Sequence, residues 1–199
     1  MTQSLTELRH ARSKNDFPFL NLEDGEYVEL SITRAKIGLL IIWFFEIVSF
    51  LLLTLILVLF DNGLPAAANT INIAPSVAAT SFLRIVIFIL YGALVISGLV
   101  GTKVYLDNKM YITNKRAIQI ASNALFHKST NVIELSKIED VSFKQAGIFD
   151  YLFHLGTIRM STVGDETTYT FRYVETPTDE IQTISHLVFV SKDNNSKKD

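Results

Sequence analysis

The chain predicts an α+β membrane protein. A two-helix transmembrane hairpin precedes an open, bent antiparallel β-barrel capped by a C-terminal helix. Three observations carry this reading. Ile37 to Phe60 and Phe82 to Tyr105 are predominantly apolar runs of 24 residues each. Beyond the second run, apolar residues recur at every second position, the period of a half-buried strand. Beyond Thr176 the period lengthens to that of a helix.

The first run extends about 36 Å as a helix at ~1.5 Å per residue. A bilayer core of about 30 Å needs only about 20 residues. The run begins at residue 37 and is too long for a signal-peptide core, although Leu64 to Ala68 has the small residues of a cleavage site. The 199 residues therefore divide into an N-terminal cytoplasmic segment (1–36), the hairpin (37–60 and 82–105) with its outer loop (61–81), a folded domain (106–191) and a polar tail (192–199).

Loop charges orient the hairpin. Arg9, Arg12, Lys14, Arg34 and Lys36 precede it, and Lys103, Lys109, Lys115 and Arg116 follow it. No Lys or Arg lies between Asp61 and Ser81. The positive-inside rule places both termini in the cytoplasm and the loop outside. The net charge is −2, and Lys103 to Asp199 carries twelve basic and twelve acidic residues. That balance offers no field for nucleic acid. The absence of cysteine excludes disulfides, thiol catalysis and thiolate metal sites.

Residues 1–24 are polar and without a period, which predicts a disordered or loosely docked tail. Gly25 to Ile32 alternates like a short strand. The outer loop is small and uncharged, a connector. Met110–Thr113 and Ala117–Ser122 flank Asn114-Lys115-Arg116, a hairpin signal. Strands follow over Asn131–Ser136, Asp140–Gln145 and Gly156–Val163, then a turn at Gly164-Asp165-Glu166. In Thr167–Val174, Tyr169, Phe171 and Tyr173 are expected to face the core, with Thr168, Thr170 and Arg172 outward. Thr176 suits a helix N-cap and Pro177 the first helical position. Ile181, Ile184, Leu187 and Val188 then form an apolar helical stripe.

Six or seven antiparallel strands closed by one amphipathic helix describe the pleckstrin-homology-like architecture. Individual motifs agree. Tyr111-Ile-Thr-Asn-Lys-Arg116, Val132 to Val141, Ile148 to Ser161 with Gly156 before Thr157-Ile158, and Val174-Glu-Thr-Pro177 resemble, in order, the segments of the membrane-flanked bacterial pleckstrin-homology-like domain family. One turn departs from it, with Ala124 where the family often has glycine. The resemblance implies a paired-helix anchor with a cytoplasmic domain, and no catalytic residues.

Few groups invite chemistry. Glu46 lies near mid-depth in the first span, where a carboxyl group is costly and marks a functional hypothesis. Counting along the helices brings it level with Tyr91 to Gly98. Ser97 or the Tyr91 hydroxyl is thus the expected partner of a protonated Glu46. Arg84 sits too far toward the outer end and is expected to snorkel to that interface. Ala93, Ser97 and Gly101 recur every fourth residue, a face suited to close helix contact. Lys103, Lys109, Lys115 and Arg116 form a juxtamembrane basic group suited to lipid headgroups, at about 1 kcal/mol per charge. His10, His127, His154 and His186 show no metal spacing, so neither metal nor cofactor is expected.

The sequence thus predicts a non-catalytic, membrane-anchored module. It would bind the lipid surface or a protein partner, with homo-oligomers possible. The alternative is a small transport or channel subunit working through Glu46.

Overall fold

A computed structural model describes residues 2–71, 77–162, 168–175 and 178–196. In chain order the elements are α1 (Thr2–Asp16), a 3-10 turn (Pro18–Leu20), β1 (Val28–Thr33), α2 (Ile37–Ile71), α3 (Val77–Leu106), β2 (Lys109–Thr113), β3 (Arg116–Ala124), β4 (His127–Glu134), a second 3-10 turn (Leu135–Lys137), β5 (Ile138–Lys144), α4 (Ile148–Leu152), β6 (Leu155–Thr162), β7 (Thr168–Glu175) and α5 (Thr178–Ser196). The chain forms two compact units. One is Lys36–Lys103, and the other joins Met1–Ala35 to Val104–Asp199.

The first unit is the helical hairpin. Ile37–Asn62 and Ser81–Leu106 are long and apolar enough to cross a membrane. Most of their large apolar side chains are exposed, Phe44, Phe45, Leu51, Phe88 and Ile89 among them, whereas Ile87 is buried. The expected connector is partly helical, because α2 runs on to Ile71 through Ala66-Ala67-Ala68, a strong helix-forming run.

In the second unit the strands form two antiparallel sheets, of order β1-β2-β3-β4 and β5-β6-β7. The expected barrel is therefore open: no strand pairing closes one sheet onto the other among the described residues. The sheets share a core of Ile32, Met110, Ile112, Ile133, Leu135, Ile138, Ile158, Met160, Phe171 and Val174. Helix α5 covers it with Ile184 and Val188, with Leu187 partly buried beside them. The expected turn at 164–166, and Thr176 with Pro177 ahead of α5, lie outside the described residues.

Two expectations are corrected here. Tyr173 does not face the core. Phe171 and Val174 are buried, whereas Tyr173 is 41% exposed. Opposite β6, Gly156 pairs with Val174 but Thr157 with Arg172, so Tyr173 is the extra residue of a β-bulge. Its left-handed φ of 63° turns the strand by one position.

Nor is the N-terminal stretch a loose tail. It forms α1 and packs against the outer face of the four-stranded sheet. Leu20 is buried with Tyr111 and Ile118, flanked by Phe17 and Leu22. The Ser13 hydroxyl accepts the Val28 amide at 3.0 Å. Strand β2 is consequently buried on both faces: Met110 and Ile112 look inward, and Tyr111 lies under the N-terminal arm.

Candidate functional site

Polar side chains in the hairpin meet in rungs. Ser97 Oγ donates to Glu46 Oε1 at 2.6 Å. One step toward the connector, the hydroxyls of Thr54 and Tyr91 are 2.8 Å apart. One further step, Arg84 donates twice to Asp61 Oδ1, at 2.9 and 3.1 Å. Each advance of seven or eight residues on α2 is matched by a retreat of six or seven on α3, a constant antiparallel register.

Of the two partners considered for Glu46, Ser97 makes the bond and Tyr91 is engaged elsewhere. Arg84 pairs with Asp61 at its own level. Gly98 makes room for this arrangement, since a Cβ there would lie 3.3 Å from Glu46 Cγ. Gly101 faces Ile42 in ordinary contact.

The four juxtamembrane cations do not share one environment. Lys103 is exposed in the last turn of α3, and Lys109 is half-buried in β2. Neither has an ion pair among the described residues. Lys115 reaches back to Glu23 Oε2 at 3.1 Å and to the Asp24 carbonyl at 3.2 Å.

Arg116 is occupied by a partner that sequence reasoning missed. Glu26, 0% exposed, receives Arg116 Nε on Oε1 at 2.9 Å and Arg116 Nη2 on Oε2 at 3.0 Å. The Thr113 hydroxyl donates to Oε1 and the Glu23 amide to Oε2, each at 2.8 Å. Burial alone raises the Glu26 pKa. The hydrogen bonds from Arg116, Glu23 and Thr113, with the Arg116 charge, outweigh burial and hold it below the ordinary value. A guanidinium held bidentately in this way is not free for a headgroup. Arg116 therefore pins the N-terminal arm to the β2–β3 turn.

A second cation group, unforeseen, lies on the outer face of β5-β6-β7. Lys144 and Arg172 flank Thr157 on neighbouring strands. Arg159 stands one pleat away, beside Thr170. With Ala146, Asp150, Thr168 and Tyr173 these residues line a hollow of about 470 Å³. None of the three cations is in an ion pair among the described residues. Alternation marked Thr170 and Arg172 as outward, but nothing local showed that three strands would gather the charges.

The chain matches the bacterial PH domain family over residues 37–188. It belongs to that family. The match takes in the hairpin and strands β2 to β7. Among solved structures, the chain is similar to a DUF1696-family protein with a pleckstrin-homology domain from Shewanella loihica PV-4. That pair is 18% identical, covers 43% of this chain and 70% of the other, and has a TM-score of 0.32. No curated protein matches the chain.

Proposed function

We propose that this chain is a non-catalytic membrane protein whose hairpin spans the inner membrane and whose PH-like domain binds an anionic partner on the cytoplasmic side. One observation carries the anchor. Strands β1 and β2 are neighbours in one sheet, with Thr33 paired to Lys109, yet both apolar helices lie between them in the chain. Both ends of the hairpin must then be on the same side of any membrane it crosses. Two crossings satisfy this, and one does not. The absence of Lys and Arg between Asp61 and Ser81 supports placing that side in the cytoplasm.

The recognition chemistry is that of cations without an ion pair among the described residues. Lys115 and Arg116 are committed to Glu23 and Glu26, whereas Lys103 and Lys109 near the span and Lys144, Arg159 and Arg172 in the hollow are not so engaged. The PH-like family favours a binding module over an enzyme, and this step is an analogy of fold. The rival transport reading is not favoured, because Glu46 is bonded to a hydroxyl on the facing helix rather than to a chain of titratable groups.

Reporter fusions test the anchor. A reporter after Asp199 is expected to be active on the cytoplasmic side, and one at Asn69 on the outer side. An external C-terminus refutes the orientation. Arg159→Glu with Arg172→Glu is expected to abolish cross-linking to the native partner, while Lys115→Gln leaves it intact. The reverse pattern refutes the hollow as the binding surface.

A further inference from the structure

The tip of the β3–β4 hairpin is built of the wrong residues for a turn. Ala124 pairs with His127, so Leu125 and Phe126 alone make the connection. Two-residue hairpin turns favour Gly, Asn and Asp. Here Leu125 is half-buried and Phe126 is 95% exposed. An aromatic ring in water at a turn contributes nothing to the fold.

Its position supplies the reason. β1 ends at Thr33 and β2 starts at Lys109, so this end of the sheet is joined to the apolar helices by three residues on one side and two on the other. β3 runs antiparallel to β2 and continues past Ile120, the partner of Lys109, beyond the end of β2 at which the chain leaves α3. The β3–β4 hairpin is clamped at the end of α3. Asn108 Nδ2 donates to the Ser122 carbonyl at 3.0 Å, and Asn108 Oδ1 accepts the Ser122 amide at 3.2 Å. Lys128 Nζ is 2.7 Å from Asp107 Oδ2, and Asp107 directly follows the last residue of α3. Ser122 and Lys128 are cross-strand partners, so the level of the helix end is fixed on the hairpin.

Beyond that level the strands run on for two or three more residues, about 7–10 Å at ~3.3 Å per residue. The headgroup layer of a bilayer is about 5–8 Å deep on each side of its core. On the membrane-anchor reading, a turn this close to the residues that follow α3 is within reach of the interface, the layer in which amphipathic and aromatic side chains settle. His127 and Lys128 follow the ring immediately and place polar and cationic groups at headgroup level.

We propose that Leu125 and Phe126 form a wedge that inserts into the lipid interface beside the end of α3, making the β3–β4 hairpin a third membrane contact of the domain. The proposal rests on the membrane-anchor reading, and the occupant is lipid rather than a protein.

The chain has no cysteine, so single labels can be placed without background. The full chain is reconstituted into nanodiscs of phosphatidylcholine and phosphatidylglycerol carrying doxyl-labelled lipid. A fluorophore is attached in turn to Asn123→Cys beside the turn, to Lys137→Cys beyond the opposite end of β4, and to Phe50→Cys in α2. Quenching is expected at 123 and 50 and not at 137. In the Phe126→Asp background, quenching at 123 is expected to fall to the level of 137, with 50 unchanged. If 123 is quenched no more than 137 while 50 is quenched, the wedge is refuted and the anchor stands. If 123 is quenched equally with and without Phe126→Asp, the ring is not the inserting group and the proposal fails. If 50 is not quenched, the anchor reading itself is refuted, and the wedge with it.

Discussion

Arg116→Met should unpin the N-terminal arm. The magnitude follows from the site. Glu26 is fully buried and accepts four hydrogen bonds, two of them from Arg116. Removing the guanidinium leaves a desolvated carboxylate with only Thr113 and the Glu23 amide. Breaking one side of a buried ion pair costs about 3–5 kcal/mol, chiefly because the remaining charge is uncompensated. Glu26→Gln should cost less, because the Arg116 side chain is 21% exposed and can recover some hydration. Combining Glu26→Gln with Arg116→Met should cost less than Arg116→Met alone, since no buried charge is left behind.

The pH dependence has opposite signs in the two proteins. In the native chain the folded Glu26 pKa lies below its unfolded value of 4.5. Its contribution is thus present above that value and is lost as pH falls through the folded pKa. In Arg116→Met, burial dominates and should lift the pKa above its ordinary value. The variant then recovers stability as pH falls, and the gap between the two proteins narrows. Hydrogen exchange of the paired β1 and β2 amides, in the full chain in detergent, reads both effects. A cost under about 1 kcal/mol, the level of an exposed pair, or a gap constant with pH, would refute this account.

Three further outcomes follow from named contacts. Gly156→Ala brings a Cβ within 1.9 Å of the Phe143 ring and should destabilise the domain by at least the ~1–3 kcal/mol of overpacking. Phe143→Ala should restore part of that loss in a thermal melt, and no rescue would point to a backbone cause. Phe171→Ala should cost about 3–5 kcal/mol, as for a buried ring, against no more than about 0.5 kcal/mol for Thr170→Ala at the exposed neighbour; equal costs in the melt would mean the register of β7 is wrong. In the hairpin, Glu46→Gln should leave cross-linking between cysteines at Thr54 and Tyr91 intact, because interhelix hydrogen bonds average only about 0.6 kcal/mol. Gly98→Val should reduce that cross-linking by wedging the helices apart, and loss of activity in Glu46→Gln with cross-linking preserved would favour the transport reading.

Much of this was legible in the sequence because it is written locally. Apolar runs announce the two helices, and counting residues by depth narrows the partner of Glu46 to Ser97 or Tyr91, of which the structure selects Ser97. Alternation finds Phe171, and the helical stripe finds Ile184 and Val188. What was hidden depends on distant partners. Glu26 sits beside Asp24 and Gly25 like any turn acid, and its guanidinium is 90 residues away. Tyr111 alternates as an outward residue, and only Phe17 and Leu20 turn its face into a second core. That Phe-Pro-Phe-Leu cluster was the available signal, obscured by the polar residues before it. Tyr173 matches Tyr169 and Phe171 in pattern and chemistry, so no periodicity could show that a bulge removes it from the set.

The order of strands in the sheet differs from their order of manufacture in a way that governs biogenesis. β1 leaves the ribosome first but has no partner until Lys109 emerges, 76 residues after Thr33. Both apolar helices are synthesised in that interval. On the membrane-anchor reading proposed above, the first strand and its arm must wait, unpaired, while the helices enter the bilayer. If one helix failed to cross, the two strands would be stranded on opposite sides and the four-stranded sheet could not assemble. On that reading, a chain with a single crossing exposes an orphan edge at β2 and leaves Tyr111 without its covering arm, a mark that proteolytic surveillance can read.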